Sequence, residues 1–318
     1  MMLLIFILAC AFLVGMAISA SSTCAVAASR EILFERRPDM LLGFLIAMGV
    51  AGLITLPLHW LIGPTAHVTP VVPISSSLLL GAALIGLGAV VNDACLLGTL
   101  ARIGQGEVRF LALPFGLALG FAVAERQSAL VVGIARPNPH ELPSAQGVAV
   151  VAIFAAMAVW AWQRRGKGSR ESTSAGSWPR AMMLAMGLCG ALLFCLAPQW
   201  TYSDAIHAIV RRGGMQMQAD ARAFAPALAL LAGALVSGLL TRAFVFRAPT
   251  AITLTRSLAG GAVMALGGTL IPGGNDSLLL AAIPSASLSG ITAYAVMSAT
   301  VMFVLVARQR LRPVAHPA

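Results

Sequence analysis

The sequence reads Gly81-Ala-Ala-Leu-Ile-Gly-Leu-Gly88 and then Asn92-Asp93-Ala94-Cys95 in its first half. In its second half it reads Gly260-Gly-Ala-Val-Met-Ala-Leu-Gly267 and then Gly273-Gly274-Asn275-Asp276. Each stretch is an apolar run, rich in glycine, that ends in polar residues before a short apolar run resumes. The two stretches therefore look like two copies of one structural unit.

The composition around these stretches excludes a water-soluble protein. Of the 318 residues, 59% are hydrophobic and only 10% are charged, whereas soluble globular chains carry about 25% charged residues. The chain also has 31 glycines and only 6% aromatic residues. Small residues at this density let helices pack closely in lipid, where no hydrophobic effect drives them together. We therefore predict an all-α polytopic membrane protein.

Nine apolar runs meet or approach the roughly 20 residues that a helix needs to cross the hydrocarbon core. They cover residues 2–20, 40–62, 74–91, 108–124, 145–162, 181–196, 224–243, 251–271 and 286–307. Nine spans place the two termini on opposite sides of the membrane. We read the first run as a retained span, because it lacks the basic segment with which a cleaved signal peptide begins.

The net charge of +10 reflects orientation in the membrane, and it predicts no nucleic-acid partner. The basic residues lie between the apolar runs, and most of the 21 lysines and arginines fall on one side when the spans alternate. The links of residues 63–73 and 272–285, on the other side, contain no lysine or arginine. By the positive-inside rule the N-terminus is outside and the C-terminus inside.

The chain divides near its middle into two membrane halves. We assign residues 1–163 to the first half with spans 1–5, residues 164–179 to a cytoplasmic linker, residues 180–310 to the second half with spans 6–9, and residues 311–318 to a cytoplasmic tail. The two glycine-rich stretches lie in the third and eighth spans, which cross the membrane in opposite directions. This predicts an inverted repeat, a plan of secondary transporters with the substrate near the midplane. The alternative is that glycine-rich membrane helices resemble one another by composition alone.

Each repeat is predicted to be a broken helix followed by a short re-entrant helix. Asp and Ser are strong N-caps, so we expect Asp93, and either Asp276 or Ser277, to cap these short helices. A third break follows the first span, where Thr23 is the expected cap and Cys24 lies in the first turn. Because irregular backbone at membrane depth must face protein or a wet cavity, we expect the three breaks to share one cavity.

Cys24 and Cys95 are the candidate ligand-binding residues at these breaks. Helix N-termini attract anions, and a thiol is soft and polarizable, which suits a sulfur-containing anion. The alternative is that each cysteine is only a small buried hydrophobe, an interpretation that we adopt for Cys10, Cys189 and Cys195. Asp93 and Asp276 would repel an anion if ionised, so either they are turned away as caps or burial keeps them protonated.

No catalytic, metal or cofactor site is predicted. The five histidines lie at span ends, in outer links or in the tail, without the paired spacing of a metal site. The stretch Arg102-Ile-Gly104-Gln-Gly106 contains glycines, but it lacks the strand and lysine of a phosphate-binding loop. We read Tyr202–Arg212 as an amphipathic helix on the outer surface.

Four stretches resemble the YeeE/YedE family of bacterial inner-membrane sulfur transporters, whose characterised members take up thiosulfate. They are residues 15–33, 92–106, 114–120 and 256–276. The resemblance implies a nine-span, pseudo-symmetric, hourglass-like fold with re-entrant helices and three cysteines that pass the anion by weak thiol contacts. Cys24 and Cys95 match two of these cysteines. At the place of the third the sequence has Gly274-Asn275-Asp276-Ser277, whose amide and hydroxyl donors favour an oxygen-rich or different sulfur anion.

The expected function is uptake of a small sulfur-containing anion, with thiosulfate as the first choice, across the bacterial inner membrane. The expected pathway residues are Asn92, Asp93, Cys24, Cys95, Gly273, Gly274, Asn275, Asp276 and Ser277. The resemblance also suggests that a cytoplasmic sulfur-carrier protein receives the cargo, although anionic lipid explains the basic inner face as well. Two alternatives stay open: a membrane sulfurtransferase or redox protein that uses Cys24 and Cys95 covalently, and a scaffold subunit that acts only with a partner.

Overall fold

The computed structural model describes residues 2–126, 135–168, 178–214, 217–271 and 273–311. The fold is all-helical, with 78% of residues in helices and no strand among the described residues. Most of the predicted linker at 164–179, and all but one residue of the predicted tail at 311–318, lie outside the described residues.

The described residues form thirteen α-helices. They are α1 (Met2–Ala20), α2 (Ala25–Arg30), α3 (Asp39–Ile62), α4 (Ser76–Asn92), α5 (Leu96–Gly104), α6 (Leu113–Arg126), α7 (Ala145–Gly168), α8 (Trp178–Leu196), α9 (Tyr202–Arg212), α10 (Met217–Leu240), α11 (Ala251–Gly268), α12 (Asn275–Ser277) and α13 (Leu288–Leu311). Single turns of other helix types extend them. These are π turns at Glu31–Glu35 and Leu278–Ala282, and 3₁₀ turns at Gly63–Thr65 and Val108–Ala112.

The chain is a multi-pass membrane protein. Among the described residues, six helical segments are long and apolar enough to cross a bilayer: Met2–Glu35, Asp39–Thr65, Ser76–Gly104, Val108–Arg126, Ala145–Arg164 and Leu288–Leu311. Two shorter apolar helices, Arg180–Leu196 and Phe224–Leu240, lie in the second half. The run predicted at 251–271 also contains a helix, α11, which carries Arg256 in its second turn.

The two glycine-rich helices, α4 and α11, pack directly against each other. A Cβ atom added to Gly81 would lie 2.8 Å from the carbonyl oxygen of Gly267, and one added to Gly88 would lie 2.7 Å from that of Gly260. Pairing of 81 with 267 and of 88 with 260 makes the helices antiparallel. The glycines of the two stretches therefore form the contact surface between α4 and α11, as expected for helices that associate by close packing.

The links between the long helices gather in two groups. In one group Arg102, Arg109 and Arg247 pair with Glu107. In the other, Asn138 donates hydrogen bonds to the carbonyl oxygens of Thr69 and Ser285 at 3.1 and 2.8 Å. Each group joins links that the basic-residue pattern assigned to one side of the membrane, and the orientation itself stays a prediction.

Candidate functional site

Cys24 and Cys95 each stand immediately before a short helix, at the N-cap position of α2 and α5 respectively. The prediction that Thr23 and Asp93 cap these helices was wrong. Asp93 instead ends α4 in a left-handed conformation, with a φ of 68°. Asp93 therefore ends α4, and Cys95 begins α5.

The sulfur of Cys95 is held by backbone donors from two helices. The N–H of Ala25 donates to its Sγ at 3.3 Å, and the N–H of Gly98 donates at 3.4 Å. The Cys24 thiol is within hydrogen-bonding range of Cys95. Both side chains are buried, with 6% and 1% of the residue exposed. Two thiols and two N–H groups therefore meet at one point inside the protein.

Gly98 allows this meeting. A Cβ atom at residue 98 would lie 2.4 Å from the Sγ of Cys24 and 2.7 Å from its Cβ, which is closer than real Cβ contacts allow. The absence of a side chain at residue 98 thus lets the first turn of α5 lie against Cys24.

Asn275 brings the break in the second half to the same point. The backbone N–H of Leu96 donates to the Oδ1 of Asn275 at 3.3 Å, and Asn275 is buried. The predicted caps of this helix, Asp276 or Ser277, were wrong, because Gly274 occupies the N-cap position of α12. The break in the first half and the break in the second half therefore meet at Leu96, the residue after Cys95.

The turn before α12 depends on two glycines. Gly273 has a φ of +91°, and a Cβ there would lie 2.0 Å from the Oγ of Ser277. A Cβ at Gly274 would lie 2.7 Å from Leu96 and 2.6 Å from a carboxylate oxygen of Asp276. Ser277 donates its hydroxyl to the carbonyl oxygen of Gly274 at 2.8 Å. These four residues form one tight turn against the start of α5.

Asn92 braces the break in the first half. It is fully buried, its Nδ2 donates to the carbonyl oxygen of Ala94 at 2.8 Å and to the Oγ1 of Thr99 at 3.0 Å, and its Oδ1 accepts from the Oγ of Ser257 at 2.8 Å. Both polar atoms of the amide are thus used inside the protein. The geometry gives Asn92 a supporting position behind the thiols.

Two cavities are lined by residues that lie close to Cys95 in the chain. The glycine cavity, of about 270 Å³, is lined by Leu96, Asp204, His207, Gly273 and Gly274 among others. The arginine cavity, of about 540 Å³, is lined by Asp93 together with Arg30, Arg109, Arg256 and Arg308. Only Ala94 and Cys95, both buried, separate Asp93 from Leu96 in the chain. Asp93 lines the arginine cavity, and Gly273 and Gly274 line the glycine cavity.

Sequence reasoning missed two residues of α9. The Tyr202 hydroxyl donates to the carbonyl oxygen of Leu96 at 3.1 Å, so this helix begins at the site, although its later turns pack on α6. Asp204 lines the glycine cavity, and burial raises the pKa of its carboxyl. The Thr201-Tyr-Ser-Asp204 pattern is typical of a helix start, and Thr201 caps α9. This local pattern indicated where α9 begins.

The remaining cysteines lie away from the thiol pair. Cys10 and Cys189 interact with each other, and Cys195 interacts with Thr55. All three are buried. They fit the interpretation of small apolar residues in helix contacts and serve as matched controls for Cys24 and Cys95.

Comparison with known proteins identifies the family of the chain. No curated protein matches the chain. A family model described as sulphur transport matches residues 20–303, a range that begins just before Cys24 and contains both glycine-rich stretches. The chain therefore belongs to the YeeE/YedE sulphur transport family.

Proposed function

We propose that the protein takes up a small sulfur-containing anion, thiosulfate foremost, across the bacterial inner membrane. It does so as a nine-span transporter with its N-terminus outside and its C-terminus inside. The antiparallel packing of α4 on α11 supports an inverted repeat. The short helices α2, α5 and α12 are the re-entrant elements of this scheme, because each begins at a break that meets the others in the interior.

The observation that carries the proposal is the meeting of Cys24, Cys95 and Asn275 in the interior. Leu96 lines the glycine cavity and Asp93 lines the arginine cavity, and because Cys95 lies between these two residues in the chain we place the thiols in the partition between the cavities. An anion would pass from the glycine cavity, past the thiols, and into the arginine cavity. The Gly273 turn and Asp276 with Ser277 form the wall on the entry side.

The chemistry of the partition suits a soft anion. Thiols are polarizable and make only weak hydrogen bonds, so they contact the terminal sulfur of thiosulfate without trapping it. The N–H groups of Ala25 and Gly98 point at the Cys95 sulfur and add partial positive charge there. The amide N–H groups of Asn275 serve the oxygens of the anion, while the Ser277 hydroxyl, which donates to the carbonyl oxygen of Gly274, shapes the turn beside it.

Covalent sulfur transfer is the second candidate, because the thiols of Cys24 and Cys95 are within hydrogen-bonding range. In this reaction a cysteine thiolate attacks the outer sulfur of thiosulfate, the S–S bond of thiosulfate breaks, and sulfite leaves as a cysteine persulfide forms. Mass spectrometry of the protein after exposure to thiosulfate separates the two candidates. Transport without chemistry leaves free thiols, and a persulfide on Cys24 or Cys95 supports the enzyme.

Growth tests the proposed function. A bacterial strain without its own sulfate and thiosulfate permeases is given thiosulfate as its only sulfur source. We expect the wild-type protein and Cys195→Ala to restore growth and Cys95→Ala to abolish it. Failure of the membrane-inserted wild-type protein to restore growth on thiosulfate or on any related sulfur anion contradicts the proposal.

On the inner side, the proposal includes delivery to a cytoplasmic sulfur-carrier protein. The arginines around Glu107, with Arg247 the most exposed at 65%, offer a basic surface to an acidic partner. Anionic lipid headgroups bind the same kind of surface, so co-purification of a carrier in a detergent that removes lipid is the appropriate test of this part.

A further inference from the structure

The arginine cavity concentrates positive charge from separate elements of the chain. Arg30 ends α2, Arg109 lies in the 3₁₀ turn before α6, Arg256 belongs to α11 and Arg308 to α13, while Asp93 follows α4. Four guanidinium groups and one carboxylate give the cavity a net charge of +3 at neutral pH. A concave, partly enclosed surface of one sign attracts ions of the opposite sign.

Asp93 already neutralises two of these arginines. One carboxylate oxygen pairs with Arg30, and the other lies 3.5 Å from an Nη of Arg109. The left-handed backbone of Asp93, with a φ of 68°, fixes the carboxylate at the end of α4. The Asp93 carboxylate therefore occupies the position that a bound anion would take on these two guanidinium groups.

We propose that the arginine cavity binds a sulfur oxyanion, the chemical class of sulfate and thiosulfate, and that Asp93 is a tethered competitor for that site. The role of this site in release rests on the proposed transport function. The planar guanidinium fork matches the oxygens of such an anion. An anion that has passed Cys95 reaches Asp93 two residues away and displaces its carboxylate, and the return of the carboxylate expels the anion.

The phosphate of an anionic lipid shares this chemistry and is the other possible occupant. Position in the fold favours the small anion. The Arg109 side chain is only 17% exposed, and the Asp93 that it faces is adjacent to the thiol partition. Arg308 also commits one N–H to the carbonyl oxygen of Val90 at 2.9 Å, which holds its guanidinium beside the end of α4.

Equilibrium binding of radiolabelled sulfate to the full-length protein in nanodiscs of neutral phosphatidylcholine tests the site. Asn tolerates the left-handed conformation, so Asp93→Asn preserves the backbone while it releases Arg30 and removes one of the two carboxylates, Asp93 and Glu107, that pair with Arg109. We expect Asp93→Asn to bind sulfate about tenfold more tightly than the wild type, the effect of one charge-assisted contact. Asp39→Asn removes a similar exposed ion pair with Arg37 and is expected to leave the sulfate affinity unchanged. Equal affinity of Asp93→Asn and the wild type, or equal tightening by both variants, overturns the proposal.

A second variant keeps the test independent of how Asp93→Asn folds. Arg256→Gln is expected to weaken sulfate binding by about tenfold, and unchanged binding counts against the site. In nanodiscs that contain phosphatidylglycerol, an effect of these variants on lipid retention but not on sulfate affinity identifies a lipid site and overturns the proposal.

Uptake of thiosulfate into proteoliposomes separates this proposal from the proposed function. A tethered competitor predicts that Asp93→Asn lowers both the KM and the maximal rate of uptake, because the anion binds more tightly and leaves more slowly. An unchanged KM overturns the competitor role even when the wild type transports. Tighter sulfate binding by Asp93→Asn in a protein that transports no thiosulfate supports the anion site and contradicts the proposed function.

Discussion

The backbone N–H of Leu96 donates a hydrogen bond to the Oδ1 of Asn275 at 3.3 Å, and this bond joins the broken helix of the first half to that of the second. Leu96 also lines the glycine cavity and accepts a hydrogen bond from Tyr202 through its carbonyl oxygen. The residue after Cys95 is thus held from two sides by the second half of the chain.

Charge at residue 275 provides a first prediction. Asn275→Asp keeps the size of the side chain and its oxygen acceptor but adds a buried negative charge next to Cys95, which repels an anion. We expect Asn275→Asp to reduce thiosulfate uptake by more than about tenfold, and Asn275→Ala to reduce it less. Uptake assays at saturating thiosulfate compare the two. Equal rates for the two variants would show that no anion passes this residue.

The contact between Gly98 and Cys24 provides a second prediction. Gly98→Ala places a Cβ 2.4 Å from the Cys24 sulfur, and overpacking of this kind costs about 1–3 kcal/mol. Because relief requires the thiol to move, we expect uptake to fall by about tenfold or more. Gly214→Ala is the control, since a Cβ there meets no atom within 4 Å. Normal uptake by a fully inserted Gly98→Ala protein argues against a role for the Cys24 position.

The amide of Asn92 provides a prediction about stability. Asn92→Ala removes the hydrogen bonds to Ala94 and Thr99 and leaves the buried Ser257 hydroxyl without its acceptor. Loss of a buried partner costs about 1–3 kcal/mol, so we expect a lower melting temperature in detergent. Thr65→Ala, which removes one exposed hydrogen bond, is the comparison. A melting temperature for Asn92→Ala equal to that of Thr65→Ala would contradict the bracing role.

Asp204 provides a prediction about pH. Burial raises the pKa of this carboxyl, so it is neutral at acidic pH and becomes charged as the pH rises through that value. Because it lines the glycine cavity, its charge repels an entering anion, and uptake should fall with rising external pH. Asp204→Asn should weaken this dependence.

Other groups around Asp204 determine the pH dependence of uptake that remains in Asp204→Asn. Thr201, His207 and Asp276 face it, and the charges on these neighbours also act on an entering anion. We therefore expect uptake by Asp204→Asn to show a smaller residual pH dependence, and uptake by Asp39→Asn to keep the full pH dependence of the wild type. Uptake by Asp204→Asn with the same pH profile as the wild type would rule out Asp204 as the titrating group.

Local sequence signals predicted the glycine-rich helices, the breaks and the positions of Cys24 and Cys95 at those breaks, because glycine density and polar interruptions are properties of short stretches. The predictions of the N-cap residues were wrong for a physical reason. Asp is intrinsically a good N-cap, but α4 ends with a residue in the left-handed conformation, and Asp93 takes that position instead.

Features that depend on long-range packing were not predictable from one sequence. Tyr202 and Leu96 are 106 residues apart in the chain, and no local pattern relates them. The arginine cavity likewise gathers its charges from five elements. The positive-inside rule indicated that these arginines share a side of the membrane, but it carries no information on which of them surround Asp93.

Uptake of radiolabelled thiosulfate into proteoliposomes of the purified protein tests whether the anion passes the thiols. The set compares the wild type with Cys24→Ala, Cys95→Ala and the control Cys195→Ala, whose cysteine is buried beside Thr55. We predict time-dependent uptake by the wild type and by Cys195→Ala, and a loss of about tenfold or more in each of the other two. Wild-type rates in both Cys24→Ala and Cys95→Ala would contradict a pathway through the thiol pair.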